Sequence, residues 1–239
     1  MFNEINHQYS KYKNKELLWL PCDDNFVYQH NLKNNNNDLV KYNWIDCKFT
    51  YKFNSHGFRS NEFNHDDSIL FLGCSLTVGI GLPLEHTWAH QVAKTLNLEC
   101  LNLSIGGTGP DTAFRLAYHY IPQIKPKLVV FLDPPLGRFS LVSSNGNFYQ
   151  FVTGDPEGID PMFKKYYEHW ISLEENLVLD SIKHRLALQS LCQEYHSKFV
   201  YVSYENVPFI DYGRDLVHPG INSNKVVAEL VLDRINQNN

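Results

Sequence analysis

The sequence predicts an α/β fold, a three-layer α/β/α sandwich in which helices cover both faces of a central parallel sheet. Short continuous apolar runs, such as SILFLG at 68–73 and KLVVFLD at 127–133, are typical of strands that are buried on both faces. These runs alternate along the chain with longer segments whose apolar residues recur at helical spacing. Strands that alternate with helices favour a parallel sheet, because each helix carries the chain back to start the next strand.

Four strands and four helices are predicted in the region from 66 to 239. Thr87 is expected near the N-cap of the first helix, and Pro122 and Pro126 are expected to end or kink the second. Residues 134 to 170 are rich in Gly, Pro and aromatic residues, so we expect a long irregular stretch there, a candidate lid or substrate wall. The predicted strands cover 68–73, 99–105, 127–133 and 198–205, and the predicted helices cover 86–96, 114–124, 173–196 and 222–237.

Residues 1 to 65 have a different composition, rich in Asn, Tyr and charged residues. The run of four asparagines at 34–37 predicts an exposed loop, since Asn favours turns. The segment 41–54 alternates polar with aromatic or β-branched residues and predicts one or two strands. We therefore expect two parts, an N-terminal extension over 1–65 and a catalytic domain over 66–239.

Composition excludes several classes of protein. A chain of 239 residues with 43% hydrophobic residues can bury a large core, and its net charge of −5 gives no basic surface for nucleic acid. No apolar run of about 18 residues is present, and the N-terminus lacks a signal-peptide core, so we expect no membrane span and a cytoplasmic location. The five cysteines include no CxxC pair, which favours reduced thiols and no metal site.

Three short motifs fall where ligands bind in such sheets, at the carboxyl ends of strands. GCSLTVG at 73–79 follows the first strand and carries Ser75, NLSIGG at 102–107 follows the second, and DLVH at 215–218 precedes the last helix. Thr77 stands where a G-x-S-x-G nucleophile elbow has its last glycine, which disfavours the α/β-hydrolase fold. In this order the motifs predict a serine nucleophile with a separate Asp–His pair.

The motifs resemble those of the SGNH/GDSL hydrolase superfamily. Its first block has the form G-D-S-x-[ST]-x-G, with Cys74 here in place of the acid; its second is Asn-x-x-x-x-Gly, and its last is D-x-x-H before the terminal helix. The segment NSHGFRS at 54–60 also looks like one that precedes this domain in several subfamilies. The resemblance implies a flavodoxin-like sheet and a carboxylic ester hydrolase without metal or organic cofactor.

The resemblance also implies a role for each site residue. Ser75 would be the nucleophile, His218 the base that takes its proton, and Asp215 the group that orients the imidazole. Backbone N–H groups of Ser75 and Gly107 would form the oxyanion hole. The family's usual Asn after the third strand is absent from 129–140, and Arg138 could donate in its place because a guanidinium is always charged.

The family resemblance leaves the substrate open among lipids, short acyl esters and carbohydrate O-acetyl groups. It also leaves open an SGNH-type O-acyltransferase, or a degenerate module with a binding or structural role in a larger particle or surface structure. The oligomeric state is not predicted.

For other residues a structural role competes with a chemical one. Cys74 is expected to pack in the core, although a thiol beside the nucleophile could react, and His86 with His90 could share a metal but have no third ligand. Asp133 could line the cleft or form a turn, and Asp111 is expected to cap a helix beginning near 112. An aromatic group could form a sugar-stacking wall or pack onto the core; it comprises Phe163, Tyr166, Tyr167 and Trp170.

Overall fold

The computed structural model describes residues 3–63, 67–153 and 159–237. Its strands are β1 (Glu16–Leu17), β2 (Tyr51–Lys52), β3 (Ser68–Leu72), β4 (Glu99–Asn102), β5 (Leu128–Leu132), β6 (Phe139–Val142), β7 (Phe148–Phe151) and β8 (Lys198–Val202). Its α-helices are α1 (Asn25–Asn34), α2 (Asn36–Lys41), α3 (Ser75–Val78), α4 (Trp88–Leu96), α5 (Pro110–Ile124), α6 (Lys164–Ile171), α7 (Glu174–Glu194) and α8 (Ile221–Gln237). Short 3₁₀ turns cover Ser10–Tyr12, Leu84–His86, Pro161–Phe163 and Tyr204–Asn206.

The central sheet has four parallel strands in the order β4-β3-β5-β8. Counted within the sheet, this is the order 2-1-3-4 of flavodoxin-like folds, in which the chain reverses direction of winding beside the first strand. Leu70 of β3 lies opposite Leu101 of β4 on one side and Val129 of β5 on the other. The predicted fold class and the four predicted core strands are confirmed.

Both faces of this sheet are covered, as the continuous apolar runs predict. Leu70 and Leu72 of β3 belong to the hydrophobic cluster that includes residues of α5 and α7. Ile69 and Phe71 belong to the cluster that includes residues of α4 and α8. Since successive side chains of a strand point to opposite faces, every position of β3 is buried and must be apolar or small.

The helices begin and end close to the predicted positions, with one difference in α5. This helix begins at Pro110, earlier than predicted, because Pro suits the first helical position, where no backbone N–H is needed. It continues through Pro122 and ends at Ile124, where Lys125 adopts a left-handed conformation with φ of 53°. In the described part of the chain, no helix is both long enough and apolar enough to cross a bilayer.

The stretch after β5 is more regular than predicted. Strands β6 and β7 form an antiparallel hairpin in which Phe139 lies opposite Phe151, and their rings stack at 4.1 Å. Cross-strand aromatic pairs of this kind stabilise a hairpin. Phe163 and Trp170 pack against the buried Tyr167 in the same small cluster, so these three members of the aromatic group serve packing, whereas Tyr166 is exposed. Five residues of the predicted irregular stretch, 154–158, lie outside the described residues.

The four asparagines at 34–37 were wrongly predicted as a loop. Asn34 ends α1, and Asn36 and Asn37 begin α2. The asparagine side chains lie at the surface or half-buried, so the helices are anchored by other residues, including the fully buried Leu39 of α2, which packs in a cluster with Trp44 and Leu82. Local turn preference is thereby overridden by burial of a neighbouring apolar side chain.

The N-terminal segment packs onto the sheet through aromatic side chains. Tyr9, Phe53 and Phe58 share a hydrophobic cluster with strand residues of β3, β4 and β5. Within 41–54 the structure forms one short strand, β2, which pairs with β1 in antiparallel fashion. The predicted boundary between residues 65 and 66 lies outside the described residues. The division of the chain into two parts therefore stays a prediction.

Candidate active site

Ser75 lies directly after β3, at the first residue of the short helix α3, and is largely buried. The first N–H groups of a helix have no hydrogen-bond partner within that helix, so the N–H of Ser75 is available at the carboxyl edge of the sheet. The neighbouring Cys74 is fully buried in the cluster on one face of the sheet. Its expected packing role is confirmed, and only the serine faces the carboxyl edge of the sheet.

The D-x-x-H motif forms a tight loop in which one carboxylate makes all the key contacts. Asp215 Oδ2 accepts a hydrogen bond from His218 Nδ1, while its Oδ1 accepts from the backbone N–H groups of Val217 and His218, both at 3.1 Å. Leu216 adopts the left-handed conformation, with φ of 57°, that bends the chain between them. With Nδ1 bound to Asp215, Nε2 is the nitrogen of His218 left for proton transfer.

Both ends of this loop are fixed. The N–H of Gly213 donates to the carbonyl of His218 at 2.7 Å and closes the loop across its base. On the far side, the carboxylate of Asp211 accepts from the N–H groups of Asn222 and Ser223, each at 2.9 Å, and so caps the first turn of α8. The loop is therefore anchored to the helix that packs against the sheet.

The N-terminal segment also holds the Asp215 loop in place. Arg214 forms a bidentate ion pair with Asp23, at 3.0 Å from Nε and 2.7 Å from Nη2, and both side chains are buried. Asn31 of α1 donates to the backbone carbonyl of Asp215 at 3.1 Å. A bidentate pair fixes orientation as well as distance. Residues far upstream in the sequence thus set the position of the Asp–His pair.

The second motif forms a loop in which two successive peptides, on either side of Gly106, are each held by a side chain. Tyr9 Oη accepts a hydrogen bond from the N–H of Gly106 at 2.9 Å, and Gln150 Nε2 donates to the carbonyl of Gly106 at 3.0 Å. A Cβ atom on Gly106 would lie 2.6 Å from the Tyr9 hydroxyl, and Gly107 has a φ of 74°, so both positions favour glycine. Since C=O and N–H of a planar peptide point in opposite directions, Gln150 directs the Gly107 N–H away from itself.

The asparagine of the second motif links the first two motifs. Asn102 Nδ2 donates to the carbonyl of Thr77 at 2.7 Å, and its Oδ1 accepts from the N–H of Ser104 at 3.0 Å. Helix α3, which begins with Ser75, is thereby joined to the start of the Gly106–Gly107 loop.

The segment NSHGFRS supplies Arg59, which binds the chain just after α3. Its guanidinium donates to the carbonyls of Val78, Gly79 and Leu82 at 2.7 to 3.1 Å. It also stacks over the ring of Tyr51 at 4.5 Å. Burial lowers the pKa of Arg59 to about 10, and the side chain remains charged near neutral pH.

The predicted site residues meet at one cavity of about 400 Å³. Ser75, Gly107, Arg138 and His218 all line it, and Asp215 lies behind His218. Arg138 is half-buried, and its Nε has no hydrogen-bond partner among the described residues. The structure therefore brings together the four site residues of the motifs and Arg138, which was predicted in place of the missing Asn.

Asp133 does not line this cavity. It lies at a separate cavity of about 450 Å³ near Tyr201 and Ser181, and its Oδ2 accepts hydrogen bonds from both hydroxyls. Burial raises the pKa of the Asp133 carboxyl. The interpretation of Asp133 as a residue of the Ser75 cleft is therefore wrong.

The remaining polar candidates have structural environments. Asp111 lies inside the first turn of α5 and accepts from the N–H of Ser140 at 3.0 Å, so it ties the helix to β6 instead of capping it. His86 lies in a 3₁₀ turn and His90 in α4. Over residues 3–63, 67–153 and 159–237, no group of three or more His, Cys, Asp or Glu side chains could hold a metal ion.

Several residues at the site carry no recognisable motif. Tyr9, Gln8 and Gln150 line the same cavity as Ser75 but come from the N-terminal segment and from β7. Gln150 was missed because residues 134–170 were wrongly predicted to be irregular, whereas Gln150 lies in strand β7. The aromatic residues of FYQF, a residue type enriched in strands, were the signal that could have indicated this strand.

Comparison with known proteins finds similarity in solved structures. No protein-family model matches the chain, and no curated protein matches it. Similar structures include an acetyl xylan esterase, Est2A, from the rumen bacterium Butyrivibrio proteoclasticus, at 13% identity over 80% of this chain and 67% of that one, with a TM-score of 0.41. The psychrotrophic esterase EstA from Pseudoalteromonas sp. is 15% identical over 73% of this chain and 100% of its own, with a TM-score of 0.38.

A third similar structure is a protein from Desulfitobacterium hafniense DCB-2 that is described as lipolytic and of the G-D-S-L family. It is 15% identical over 69% of this chain and 97% of its own, with a TM-score of 0.34.

Proposed function

We propose that this protein is an SGNH-type serine hydrolase that cleaves a carboxylic ester through an acyl-Ser75 intermediate. The observation that carries the proposal is the cavity that Ser75 shares with His218, whose Nδ1 is held by the buried carboxylate of Asp215. A serine hydroxyl is a weak nucleophile near neutral pH, and a base held in one tautomer is what activates it.

The reaction takes two steps. The hydroxyl of Ser75 attacks the ester carbonyl and gives its proton to Nε2 of His218, which then passes the proton to the leaving alcohol. Water next attacks the acyl-Ser75 ester, again losing a proton to His218, and the acid leaves with the Ser75 hydroxyl restored. Asp215 stays ionised throughout and stabilises the imidazolium that forms in each step.

The negative charge that develops on the ester oxygen needs hydrogen-bond donors. We assign this role to the N–H groups of Ser75 and Gly107, with Arg138 as the third donor. Each donor of this kind contributes about 2.7–4 kcal/mol to the transition state. Arg138 is supported by its place at the cavity and by its unpartnered Nε. Arg138→Ala should lower kcat on an activated ester, and an unchanged kcat would remove Arg138 from the oxyanion hole.

The proposed substrates are carboxylic esters, including O-acetyl groups on carbohydrates and short-chain acyl esters. A fluorophosphonate probe should label the wild-type protein at Ser75, and 4-nitrophenyl acetate should be hydrolysed. Ser75→Ala should abolish both, whereas Ser172→Ala, at an exposed serine of the surface, should leave both intact. A folded wild-type protein that neither reacts with the probe nor hydrolyses the ester would refute the proposal. Labelling with acyl transfer to an added alcohol, and none to water, would replace hydrolysis with transfer.

A further inference from the structure

A second cavity adjoins the one at Ser75. It has a volume of about 360 Å³ and lies between the N-terminal segment and the β6–β7 hairpin. Gln8, Lys11 and Gln150 line both cavities, so the two cavities lie side by side along these residues. We call the second cavity the amide groove, because its wall carries the side chains of Asn6, Gln8, Asn147 and Gln150 together with Lys11.

The polar groups of the amide groove suit a ligand that both donates and accepts hydrogen bonds. A side-chain amide offers two donor hydrogens and an acceptor oxygen. In Gln8 both Nε2 and Oε1 are buried, and neither has a partner among the described residues. A buried polar group without a partner is costly, and rotation of the Gln8 amide toward a bound molecule with hydroxyl groups would supply the missing hydrogen bonds.

The charges that line the two cavities restrict the class of ligand further. Within the described chain, no Asp or Glu lines either the amide groove or the Ser75 cavity, and Lys11 lines both. A neutral or acidic ligand therefore suits the lining that the structure describes. Long acyl chains are also disfavoured in the amide groove, because they would leave its amides unpaired.

The Ser75 cavity differs in polarity from the amide groove. Tyr12, Pro21, Ile80 and Val217 contribute apolar surface on its wall. An ester has two sides, and this division assigns the acyl group to the apolar wall and the alcohol side to the amide groove. A hydroxyl-rich alcohol large enough to extend from Ser75 into the amide groove is a chain of sugar residues.

The walls of the amide groove are fixed before any ligand binds. Arg115 Nη1 donates to the carbonyl of Asn6 at 3.0 Å, and the ring of His7 stacks on Phe58 at 4.2 Å. On the hairpin side, Gln150 is held by its hydrogen bond to Gly106. A preformed site loses less conformational entropy when a ligand binds.

We infer that the amide groove is a sugar-binding subsite, so that the substrate is an O-acylated oligosaccharide whose second sugar residue occupies this groove. As a statement about substrate, the inference rests on the proposed function. Binding of the sugar chain itself does not depend on catalysis, and this separates the two in experiment.

The first experiment measures binding to the full chain carrying Ser75→Ala. The protein is applied to an array of neutral and uronic-acid oligosaccharides, and each positive oligosaccharide is titrated beside its own monosaccharide by calorimetry. A tetrasaccharide should bind at least about tenfold more tightly than the monosaccharide, because only the longer ligand reaches both cavities. Absence of binding to every oligosaccharide, or equal affinity for the monosaccharide, would overturn the inference.

The second experiment compares Gln8→Leu with Gln193→Leu, which makes the same change at an exposed position of α7. Gln8→Leu should weaken binding of the positive tetrasaccharide about tenfold. Its thermal midpoint without ligand should equal or exceed that of the parent, because the buried unpartnered amide is gone. Gln193→Leu should leave the affinity unchanged. Equal affinity in both variants would count against the subsite. If Gln8→Leu does not fold, Asn147→Leu, on the same wall of the groove, takes its place, and full affinity in that variant would count against the subsite.

Failure of the inference and failure of the proposed function give different results. Fluorophosphonate labelling of wild-type protein with no oligosaccharide binding would overturn the sugar subsite and support the hydrolase. Oligosaccharide binding without labelling would support the subsite and overturn hydrolysis. Where both succeed, kcat/KM for a mono-O-acetylated tetrasaccharide should exceed that for the acetylated monosaccharide about tenfold, and Gln8→Leu should reduce this ratio.

Discussion

Tyr9→Phe is the most informative single change at the Gly106–Gly107 loop, which carries a proposed oxyanion donor. The substitution keeps the ring, which packs in the core with Phe53, and removes only the hydroxyl that accepts from the N–H of Gly106. The peptide that carries the Gly107 N–H keeps its own side-chain contact, the bond from Gln150 to the Gly106 carbonyl, but the peptide immediately before it loses its anchor on Tyr9. The variant therefore loosens a proposed donor without touching the reacting groups.

The size of the effect follows from the hydrogen bond that is lost. An unmatched buried N–H costs about 1–3 kcal/mol, and Gly106 is half-buried, so water replaces part of the contact and the lower value applies. About 1 kcal/mol corresponds to roughly fivefold in rate. Complete loss of the Gly107 donor would cost about 100-fold or more. We therefore expect kcat to fall between about fivefold and about 100-fold, with KM nearly unchanged, because the donor acts mainly on the transition state.

The assay is steady-state hydrolysis of 4-nitrophenyl acetate, with the rate of fluorophosphonate labelling measured in parallel. Labelling forms a tetrahedral adduct that uses the same donors, so both rates should fall by the same factor. Tyr118→Phe, which removes a hydroxyl at an exposed position of α5, is the matched control. If Tyr9→Phe lowered the thermal midpoint but left kcat and the labelling rate within twofold of wild type, Tyr9 would only support folding.

Other predictions test the separation of the carboxylates and the acid sensitivity of the fold. Asp215→Asn should lower kcat about 10⁴-fold, because the imidazole loses its fixed tautomer, while Asp133→Asn in the separate cavity should change kcat less than tenfold; equal losses would refute the assignment. Burial lowers the pKa of His7 from 6.5 to about 4. The folded state therefore favours the neutral ring, and the contribution of His7 to the free energy of unfolding is fully present above pH 6.5 and is lost as pH falls toward 4. Over that interval urea unfolding should show a loss of about 3 kcal/mol, and His7→Gln should flatten the profile.

The acid sensitivity of His7 bears on the site through a hydrogen bond. His7 Nε2 binds the carbonyl of His56 at 2.9 Å, and His7 Nδ1 accepts from the N–H of Tyr9 at 3.2 Å. Protonation of the ring adds a hydrogen at Nδ1 and removes that acceptor. The backbone of Tyr9 therefore loses a contact at the same pH at which His7 gains charge.

The central sheet could be predicted because each of its strands is recognisable from the residues of that strand alone. Each core strand is buried on both faces, and a continuous apolar run such as that of β3 reports this burial directly. The Asp215–His218 pair was equally accessible, since a spacing of three residues is sufficient for one carboxylate to reach the imidazole. For Ser75 and Gly107, the order of the motifs supplied what spacing could not, namely that distant residues share one edge of the sheet.

The hairpin and the asparagine-rich helices could not be predicted, because long-range burial decides them. In β6 and β7 the stacked pair of Phe139 and Phe151 stabilises strands whose outer residues are polar or exposed. In α2 a single buried side chain, Leu39, outweighs the turn preference of the asparagines around it. A sequence window contains neither the ring opposite Phe139 nor the Trp44 that packs with Leu39.

The contacts between the N-terminal segment and the site are the feature that motif spacing is least able to predict. Asp23 binds Arg214 beside the Asp215–His218 loop, and Tyr9 binds the Gly106–Gly107 loop, across sequence separations of 191 and 97 residues. The Asp23–Arg214 pair is buried and the Tyr9–Gly106 bond is half-buried, so removing one partner would leave a buried charge or a half-buried N–H without its protein partner. The residues before 63 are therefore required for the geometry of the site as much as the motifs are, and a fragment beginning at β3 should lose activity even where its sheet still folds.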